Sequence, residues 1–386
     1  MADVSSEFST ERHRQWAATM EGFSGRGDEV TVAHSDSTAR VSSVRESDGS
    51  KLFTREKLEA ATELVLAPEA TRSSAAGHRA IEEEPDQYRN CFERDRDRIL
   101  HSSSFRRLAG KTQVFIFPDD HQRTRLTHAL EVAQVATSVA RAVGLNVALT
   151  EAIAIGHDCG HGPGGHASED ALDPFVPGGF NHALWGADVA LASLNLCQET
   201  LDGIANHSWS RPAPSTPEGE LVSWADRIAY VCHDFEDALS ARIVLESELP
   251  ALVRERCGTR RSQQLGAFIN AMINTISSTG IIGMDAAHAS ALASFRSFNY
   301  EAIYLRPEST EQARAVIAML RALVEHFATS PWLIPDLGDH AHDLSATHAL
   351  HEAVAYVAGM TDRFACRNAV TQLQWPLVQL PQGIDR

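Results

Sequence analysis

The dipeptide His157-Asp158 could supply two neighbouring ligands to a divalent metal ion. It ends an apolar segment, where a carboxylate is costly to bury unless a cation or a hydrogen-bond donor pairs with it. Imidazole and carboxylate together suit Mn²⁺, Fe²⁺, Zn²⁺ or Mg²⁺. A glycine-rich loop from Cys159 to His166 follows, and its glycines let backbone and side chains converge. A lone His-Asp dipeptide is most often incidental, so this loop is what favours a metal site.

His128 is a third candidate ligand, although its position alone is also typical of a histidine buried in the core. It precedes Val132 by four residues, so the two side chains share the core-facing side of a helix. The density of histidines in this part of the chain favours a functional role. Six of them fall within 62 residues, at positions 121, 128, 157, 161, 166 and 182.

A second group of polar side chains lies on one face of a predicted helix. Asp226, Tyr230 and Asp234 follow one another at intervals of four residues, which places them on one side of a helix. Two acids and a tyrosine among apolar neighbours indicate a pocket wall, but an ordinary solvated stripe explains the pattern equally well. The pair His233-Asp234 repeats the dipeptide of the candidate metal site. It has no glycine-rich loop, so we do not assign it to the metal.

The elements that position these residues are predicted to be helices, which makes the fold class all-α. Valines recur at helical spacing up to Gly144, a residue typical of a helix C-cap. Strand patterns after residue 86 are few. Helices are predicted at residues 54–66, 128–143, 147–158, 182–196, 219–245, 263–278, 309–328 and 345–365.

Composition divides the chain into a polar N-terminal extension, residues 1–86, and one dominant domain, residues 87–386. Within the extension, residues 29–32 and 39–41 could pair as a weak hairpin, while disorder explains their composition equally well. The short helix at residues 54–66 is expected to stop before Pro68, because proline cannot continue a helix.

Composition also disfavours several classes of function. A formal charge of −17 opposes bulk binding to nucleic acid or to an anionic membrane, and no apolar run is long enough to span a bilayer. Six cysteines are scattered without a CxxC pair, as is typical of free thiols in a reducing compartment. We therefore expect a soluble, cytoplasmic protein. If it handles an anionic substrate, its pocket must concentrate positive charge through arginine or a metal ion.

The order His128, His157-Asp158, Asp226 resembles the signature of the HD-domain metal-dependent phosphohydrolases. Longer motifs resemble, more narrowly, the deoxyguanosine triphosphate triphosphohydrolase (dNTP triphosphohydrolase) family, and they follow the family's order over roughly residues 88–365. These motifs are Arg94 to Phe115, Arg123 to Val132, the loop through Glu169, Gly203 to Ser208 and Tyr356 to Phe364.

This resemblance implies the HD phosphohydrolase helical fold and hydrolysis of a dGTP-like deoxynucleoside triphosphate to deoxynucleoside and triphosphate. It implies one divalent metal ion, which would be Mn²⁺, Mg²⁺ or Fe²⁺. Two imidazoles and two carboxylates leave coordination positions open for water and a phosphate oxygen, so the ion can polarise phosphorus and activate water. The metal ligands that the resemblance implies are His128, His157, Asp158 and Asp226.

The same resemblance assigns catalytic and substrate-binding roles. His166 and Glu169 would be the catalytic pair beside the α-phosphate, and their spacing of three residues lets them hydrogen-bond on a helical turn. His182 would be a further catalytic group on the phosphate side. The substrate-binding residues would be Gln113 and Asp234 at the sugar 3′-hydroxyl, Tyr230 against the sugar, and Arg125 and Arg227 at the phosphates.

One departure from the family pattern concerns the glycine-rich loop. The family often has Pro-Pro-Phe where this chain has Gly162-Pro163-Gly164, which we expect to loosen the pocket wall and which leaves the base preference open. Two alternative functions also stay open. One is an HD phosphohydrolase acting on another nucleotide, either a monophosphate or a signalling nucleotide. The other is a nucleotide-sensing regulator that uses the same pocket, although a pure sensor has no need of a proton-transfer pair. The resemblance further leads us to expect a homo-oligomer with an allosteric nucleotide bound between subunits.

Overall fold

The computed structural model describes residues 7–20, 22–24, 30–38, 53–118 and 121–383. Met1–Phe53 form one compact unit. In it, helix α1 (Glu7–Ala18), which the sequence pattern does not predict, precedes two short antiparallel strands, β1 (Phe23–Ser24) and β2 (Thr31–Val32). Strand β2 therefore pairs with residues that precede it in the chain. The predicted partner segment, residues 39–41, lies outside the described residues.

Thr54–Arg386 form the second unit, and helices account for nearly all of its regular structure among the described residues. The α-helices are α2 (Arg55–Glu63), α3 (Cys91–His101), α4 (Ser103–Arg107), α5 (Arg125–Val143), α6 (Val147–Gly156), α7 (His166–Leu172), α8 (His182–Trp185), α9 (Gln198–Ala205), α10 (Pro217–Ser240), α11 (Ala251–Cys257), α12 (Arg261–Thr279), α13 (Ala286–Asn299), α14 (Pro307–Thr329), α15 (Ala346–Ala358) and α16 (Asp362–Leu373).

The predicted all-α fold class is confirmed. Helix α5 ends at Gly144 in the left-handed conformation, with φ of 75°, as its expected C-cap role requires. Two predicted helices are interrupted. The helix predicted at 182–196 becomes α8 followed by a π-helical turn, Gly186–Ala190, and the one predicted at 345–365 divides into α15 and α16.

Residues 54–86, which composition assigns to the N-terminal extension, belong to the second unit. Buried hydrogen bonds explain why this polar stretch is ordered there. The backbone N–H and the hydroxyl of Thr71 both donate to the Glu218 carboxylate, at 3.1 and 2.7 Å. The backbone N–H of Asn146 donates to the same carboxylate at 2.9 Å, so Glu218 joins three segments of the chain.

Two hydrophobic cores support the second unit. The larger core combines apolar side chains of α3, α5, α6 and α9 to α13. The smaller one combines side chains of α7, α14, α15 and α16. The residues that the sequence singles out lie where these two groups of helices face each other.

No helix among the described residues combines the length and the apolar character needed to cross a membrane. All six cysteines are free thiols, and four of them are buried. Burial raises the pKa of the Cys257 thiol to about 11 and that of Cys159 to about 12, so these groups are protonated and unreactive near neutral pH.

Candidate active site

Helices α5, α6 and α10 bring the four predicted metal ligands together. His128 lies in the first turns of α5, and its Nε2 is 3.0 Å from Oδ1 of Asp226 on α10. His157, at the C-terminus of α6, places its Nε2 3.6 Å from Oδ1 of Asp226 and 3.6 Å from Oδ1 of Asp158. Ligand atoms of His128, His157 and Asp226 therefore lie within 4.8 Å of one another, and Asp158 adjoins this group through His157.

The surroundings of His157 show that a cation fits at this point. Its Nδ1 lies 2.6 Å from the Ala154 carbonyl oxygen, so the ring donates there and directs the Nε2 lone pair inward. Nε2 is fully buried and has no hydrogen-bond partner among the described residues. Burial opposes protonation of the ring, but the carboxylates of Asp158 and Asp226 raise the His157 pKa to about 9. A divalent ion would satisfy both the lone pair and the carboxylates.

Asp158 forms a buried ion pair with Arg125. Its Oδ2 accepts a hydrogen bond of 2.7 Å from Nη1 of Arg125, and both side chains are almost fully buried. Burial raises the Asp158 pKa, but Arg125, His157 and His161 together outweigh that effect and hold the pKa well below its usual value. Nε and Nη2 of Arg125 find no partner among the described residues. The predicted contact of Arg125 with phosphate stays a prediction, and these two nitrogens are free to make it.

Glu169 orients two histidines of the predicted catalytic group. Its Oε1 accepts from Nδ1 and from the backbone N–H of His182, at 2.7 and 3.0 Å. Its Oε2 lies 3.4 Å from Nδ1 of His166, whose side chain is 76% exposed. Burial raises the Glu169 pKa, but the hydrogen bonds from His166 and His182 outweigh burial and lower it far below its usual value. Glu169 is therefore an ionised acceptor, and His166 is the member of the group that a substrate can reach.

Two further histidines of the cluster have no predicted role. The His161 ring stacks on His182 with ring centroids 3.7 Å apart, and its Nε2 is 3.3 Å from Oδ1 of Asp158. His207 places its Nε2 3.2 Å from Nε2 of His182. Both histidines lie in motifs that resemble those of the triphosphohydrolase family. Neither spacing nor periodicity indicates that their side chains turn toward the metal ligands.

Asp234 and Gln113 present unpaired oxygens to the cleft beside the metal ligands. Oδ1 of Asp234 and Oε1 of Gln113 are buried and have no partner among the described residues. The other oxygen of Asp234 accepts from the Tyr304 hydroxyl at 2.5 Å. Burial raises the Asp234 pKa to about 8. Tyr230, predicted to pack against the sugar, accepts from Nε of Arg296 at 2.7 Å.

Arg227 lies on the face of Trp209. Its Cζ is 3.4 Å from the ring centroid, a close cation–π contact. Burial lowers the Arg227 pKa, and Nε has no partner among the described residues. Trp209 is 46% exposed, so the stacked pair forms part of the cleft wall. The predicted phosphate contact of Arg227 stays a prediction.

All of the predicted site residues except His157 line one cleft of about 1630 Å³. That volume is ample for a nucleotide, since ligand pockets commonly enclose about 300–1,000 Å³. Five arginines line the cleft, but seven carboxylates line it as well, so arginine alone does not give the excess of positive charge expected where an acidic protein binds an anion, and a metal ion would have to supply the rest. The arginines that line it are Arg125, Arg227, Arg296, Arg306 and Arg314.

The glycine-rich loop is held tightly. The Lys111 ammonium donates to the carbonyls of His161 and Ala358. The Asp362 carboxylate accepts from the Gly164 backbone N–H at 2.8 Å. A Cβ at Gly164, where φ is +75°, would lie 2.6 Å from a methyl group of Val316. The expectation that the glycines loosen this wall is therefore wrong, because neighbouring side chains fill the space that they leave.

The second His-Asp pair is not a metal site. Nδ1 of His233 lies 3.1 Å from the Glu131 carboxylate, and burial lowers the His233 pKa to about 2. Asp234 turns instead into the cleft. Since adjacent residues of a helix point in different directions, the two side chains cannot share an ion.

Comparisons with known proteins agree with this geometry. The HD domain family matches residues 125–231, which contain all four predicted metal ligands. The phosphohydrolase-associated domain family matches residues 282–370. A solved structure of a hypothetical protein from Aquifex aeolicus is 17% identical, with a TM-score of 0.42 over 67% of each chain, a likeness too weak to support a conclusion.

Several curated relatives are similar over most of their length, and each is named a deoxyguanosinetriphosphate triphosphohydrolase-like protein. The relative from Caldanaerobacter subterraneus subsp. tengcongensis is 38% identical over 78% of this chain and 90% of its own length. The relative from Clostridium perfringens strain 13 is 38% identical over 83% of this chain and 98% of its own length. The relative from Clostridium tetani is 34% identical over 81% of this chain and 94% of its own length.

Proposed function

Because the chain belongs to the HD-domain family of deoxyguanosinetriphosphate triphosphohydrolase-like proteins, we propose that it hydrolyses a dGTP-like deoxynucleoside triphosphate to deoxynucleoside and triphosphate. The observation that carries this proposal is that three of the four predicted metal ligands, His128, Asp158 and Asp226, line a large cleft that five arginines also line. A triphosphate in this cleft could contact both the arginines and a bound metal ion.

The metal ligands would be His128, His157, Asp158 and Asp226, and we propose Mn²⁺, Mg²⁺ or Fe²⁺ as the ion. When bound, such an ion polarises a phosphate oxygen and lowers the pKa of a water molecule. Neighbouring groups of the chain hold two of these ligands in the orientation or charge state that metal binding needs. The Ala154 carbonyl fixes the His157 tautomer, and the Arg125 guanidinium holds Asp158 in its ionised form.

His166 would move the proton that the reaction requires. Its ring is exposed and lines the cleft, and Glu169 accepts from Nδ1, so Nε2 is the nitrogen left for a bound α-phosphate. Hydrolysis between the α-phosphorus and the 5′-oxygen needs a proton at that oxygen, which His166 can deliver as a general acid. His182, bonded to the other oxygen of Glu169, keeps this carboxylate in place on the phosphate side.

The sugar would bind between Gln113, Asp234 and Tyr230. The unpaired oxygens of Gln113 and Asp234 are both buried, and a sugar 3′-hydroxyl is a donor that could satisfy one of them. The Tyr230 ring offers a flat surface beside them. Arg125 and Arg227 then lie on the side where the phosphates would extend, and each has an unpaired nitrogen for a charge-assisted hydrogen bond.

Product analysis tests the proposal. Purified protein with Mn²⁺ or Mg²⁺ is incubated with each deoxynucleoside triphosphate and, separately, with each deoxynucleoside monophosphate, and the phosphate products are resolved by chromatography. We expect triphosphate and deoxynucleoside in equal amounts, and no product from the His157→Ala variant. Orthophosphate released from a monophosphate, with triphosphates left intact, would support the alternative phosphohydrolase. Tight nucleotide binding without turnover would support the regulator.

The oligomeric state and the allosteric nucleotide site stay predictions. A homo-oligomer with an allosteric nucleotide between subunits predicts a sedimentation coefficient above that of a single chain. It also predicts that a second deoxynucleotide changes the turnover of the first.

A further inference from the structure

Arg227, which the proposed function places at the phosphates, is held in the cleft by an aromatic ring and not by a carboxylate. Its Cζ lies 3.4 Å from the centroid of the Trp209 ring. None of its N–H donors bonds another of the described residues, and Nε is buried without a partner. Arg125 and Arg306, in the same cleft, each pair with a carboxylate. An aromatic ring attracts a cation without neutralising it, so Arg227 keeps its charge and its donors for a ligand.

Trp209 is itself fixed against helix α10, the helix that carries Arg227. Its Nε1 donates to the Ser223 carbonyl at 3.1 Å, one helical turn before Arg227. Its ring meets the Trp224 ring in an edge-to-face arrangement, with centroids 4.7 Å apart and an interplanar angle of 71°. Because these two contacts fix the orientation of the indole, they also fix the place of the guanidinium on its face.

Trp209 lines the cleft and is 46% exposed, so the guanidinium that it holds stands where a ligand can reach it. We propose that Trp209 is a positioning residue that holds Arg227 in place for the triphosphate. This inference rests on the proposed function, in which Arg227 contacts the phosphates. A side chain that is already immobilised loses less conformational freedom when a ligand binds, which corresponds to about two- to twelvefold in affinity.

Binding measurements with and without phosphates on the ligand test this inference. Calorimetry at saturating Mn²⁺ gives the Kd of a non-hydrolysable analogue of the deoxynucleoside triphosphate and the Kd of the deoxynucleoside alone. We expect Trp209→Leu to raise the Kd of the analogue about five- to tenfold and to leave that of the deoxynucleoside unchanged. The matched control is Trp332→Leu, at a tryptophan that is 53% exposed and stacks on a histidine outside the cleft. It should bind both ligands as the wild type does.

Two further variants separate the ring from its other contacts. Trp209→Phe keeps an aromatic face for the guanidinium and loses the hydrogen bond to Ser223, so its Kd for the analogue should lie between those of wild type and Trp209→Leu. Arg227→Gln should weaken binding of the analogue on its own. Adding Trp209→Leu or Trp209→Phe to Arg227→Gln should cause no further loss, because residues that act through one another have non-additive effects.

Three results would overturn the inference. The first is an unchanged Kd of the analogue in Trp209→Leu. The second is an equal loss of affinity for the deoxynucleoside, which would show that the whole pocket is disturbed. The third is a further loss when either Trp209 variant is combined with Arg227→Gln, and the phenylalanine variant decides this point even if the leucine variant is unstable. None of these results changes the products of the wild-type reaction, which are what test the proposed hydrolysis.

Discussion

The hydroxyl of Tyr304 donates a hydrogen bond to the buried carboxylate of Asp234. Burial raises the pKa of this carboxylate from 3.8 to about 8, so the hydrogen bond does not offset the loss of solvation. Asp234 lies on the face of α10 that lines the cleft. Burying a carboxyl group whose pKa is raised in this way destabilises the folded protein. Such groups cluster at functional sites, where they contact a ligand.

Asp234→Asn should therefore raise stability and lower activity. The folded protein binds more protons at Asp234 than the unfolded chain between pH 3.8 and pH 8, so this residue makes stability fall as pH rises through that window. Asparagine removes that dependence. Because one pKa unit corresponds to about 1.4 kcal/mol, we expect the variant to gain at least about 1 kcal/mol in the free energy of unfolding at pH 8, and less at pH 5.

Denaturant unfolding of both proteins at several pH values measures this gain. Asp339→Asn, a change at an exposed position, serves as the control and should alter stability at neither pH. An equal stability difference between Asp234→Asn and the wild type at pH 5 and pH 8 would show that the carboxylate is not buried in its protonated form.

The positions of the four predicted metal ligands follow from patterns in the sequence that the fold preserves. His128 shares the core-facing side of α5 with Val132, and His157-Asp158 ends an apolar helix before a loop whose glycines are required by close contacts. Asp226 lies four residues from Tyr230 on α10. In each case local periodicity fixes the direction of the side chain.

Other features of the fold and the site depend on tertiary contacts, which local periodicity does not predict. His207 follows the end of α9 and turns toward His182 only through the packing of α8 and α9. The π-helical turn after α8 interrupts a segment whose residue pattern predicts one continuous helix. The apolar pattern of the sequence does not predict helix α3, because this helix is strongly charged. Asn90 and Glu93 nevertheless form a capping box that is visible in the sequence.

Metal binding should release protons and strengthen as pH rises. In the metal-free protein the His157 pKa is raised to about 9, so the ring is protonated at pH 7, whereas a metal ligand must be neutral. Each ion bound at pH 7 then displaces a proton from His157. We expect the apparent affinity for Mn²⁺ to rise by up to about tenfold per pH unit below pH 9.

Calorimetric titrations at pH 7 in buffers of different ionisation enthalpy count the protons released. A heat that does not depend on the buffer would contradict the assignment.

His166→Gln should lower kcat by at least about 100-fold, the usual scale for a general acid–base group. The amount of bound metal should not change, because His166 is not one of the predicted metal ligands. The chain offers a matched control in His288, which forms the same i, i+3 pair with a carboxylate, Asp285, at 2.8 Å outside the cleft. His288→Gln should keep wild-type turnover. Loss of metal from His166→Gln would show that its role is structural.

Asp362 should determine how well the glycine-rich loop positions His161 and His166. It accepts from the Thr112 hydroxyl at 2.6 Å and from the Gly164 backbone N–H at 2.8 Å, and burial raises its pKa. Asp362→Ala leaves both donors without an acceptor, which should destabilise the protein by about 1–3 kcal/mol. Because a displacement of about 1 Å at a catalytic group can cost about 100-fold in rate, kcat should fall by at least about tenfold.

Asp362→Asn separates the geometry of this contact from its charge. The asparagine oxygen can accept from Gly164 while its amide donates to the Thr112 hydroxyl, so both contacts survive and kcat should stay within about threefold of wild type. Thr112→Val removes only the second contact and should lie between the two Asp362 variants. Melting temperature and kcat, measured for all three, test this order. If Asp362→Asn were as impaired as Asp362→Ala, the negative charge rather than the position of the loop would be what the reaction requires.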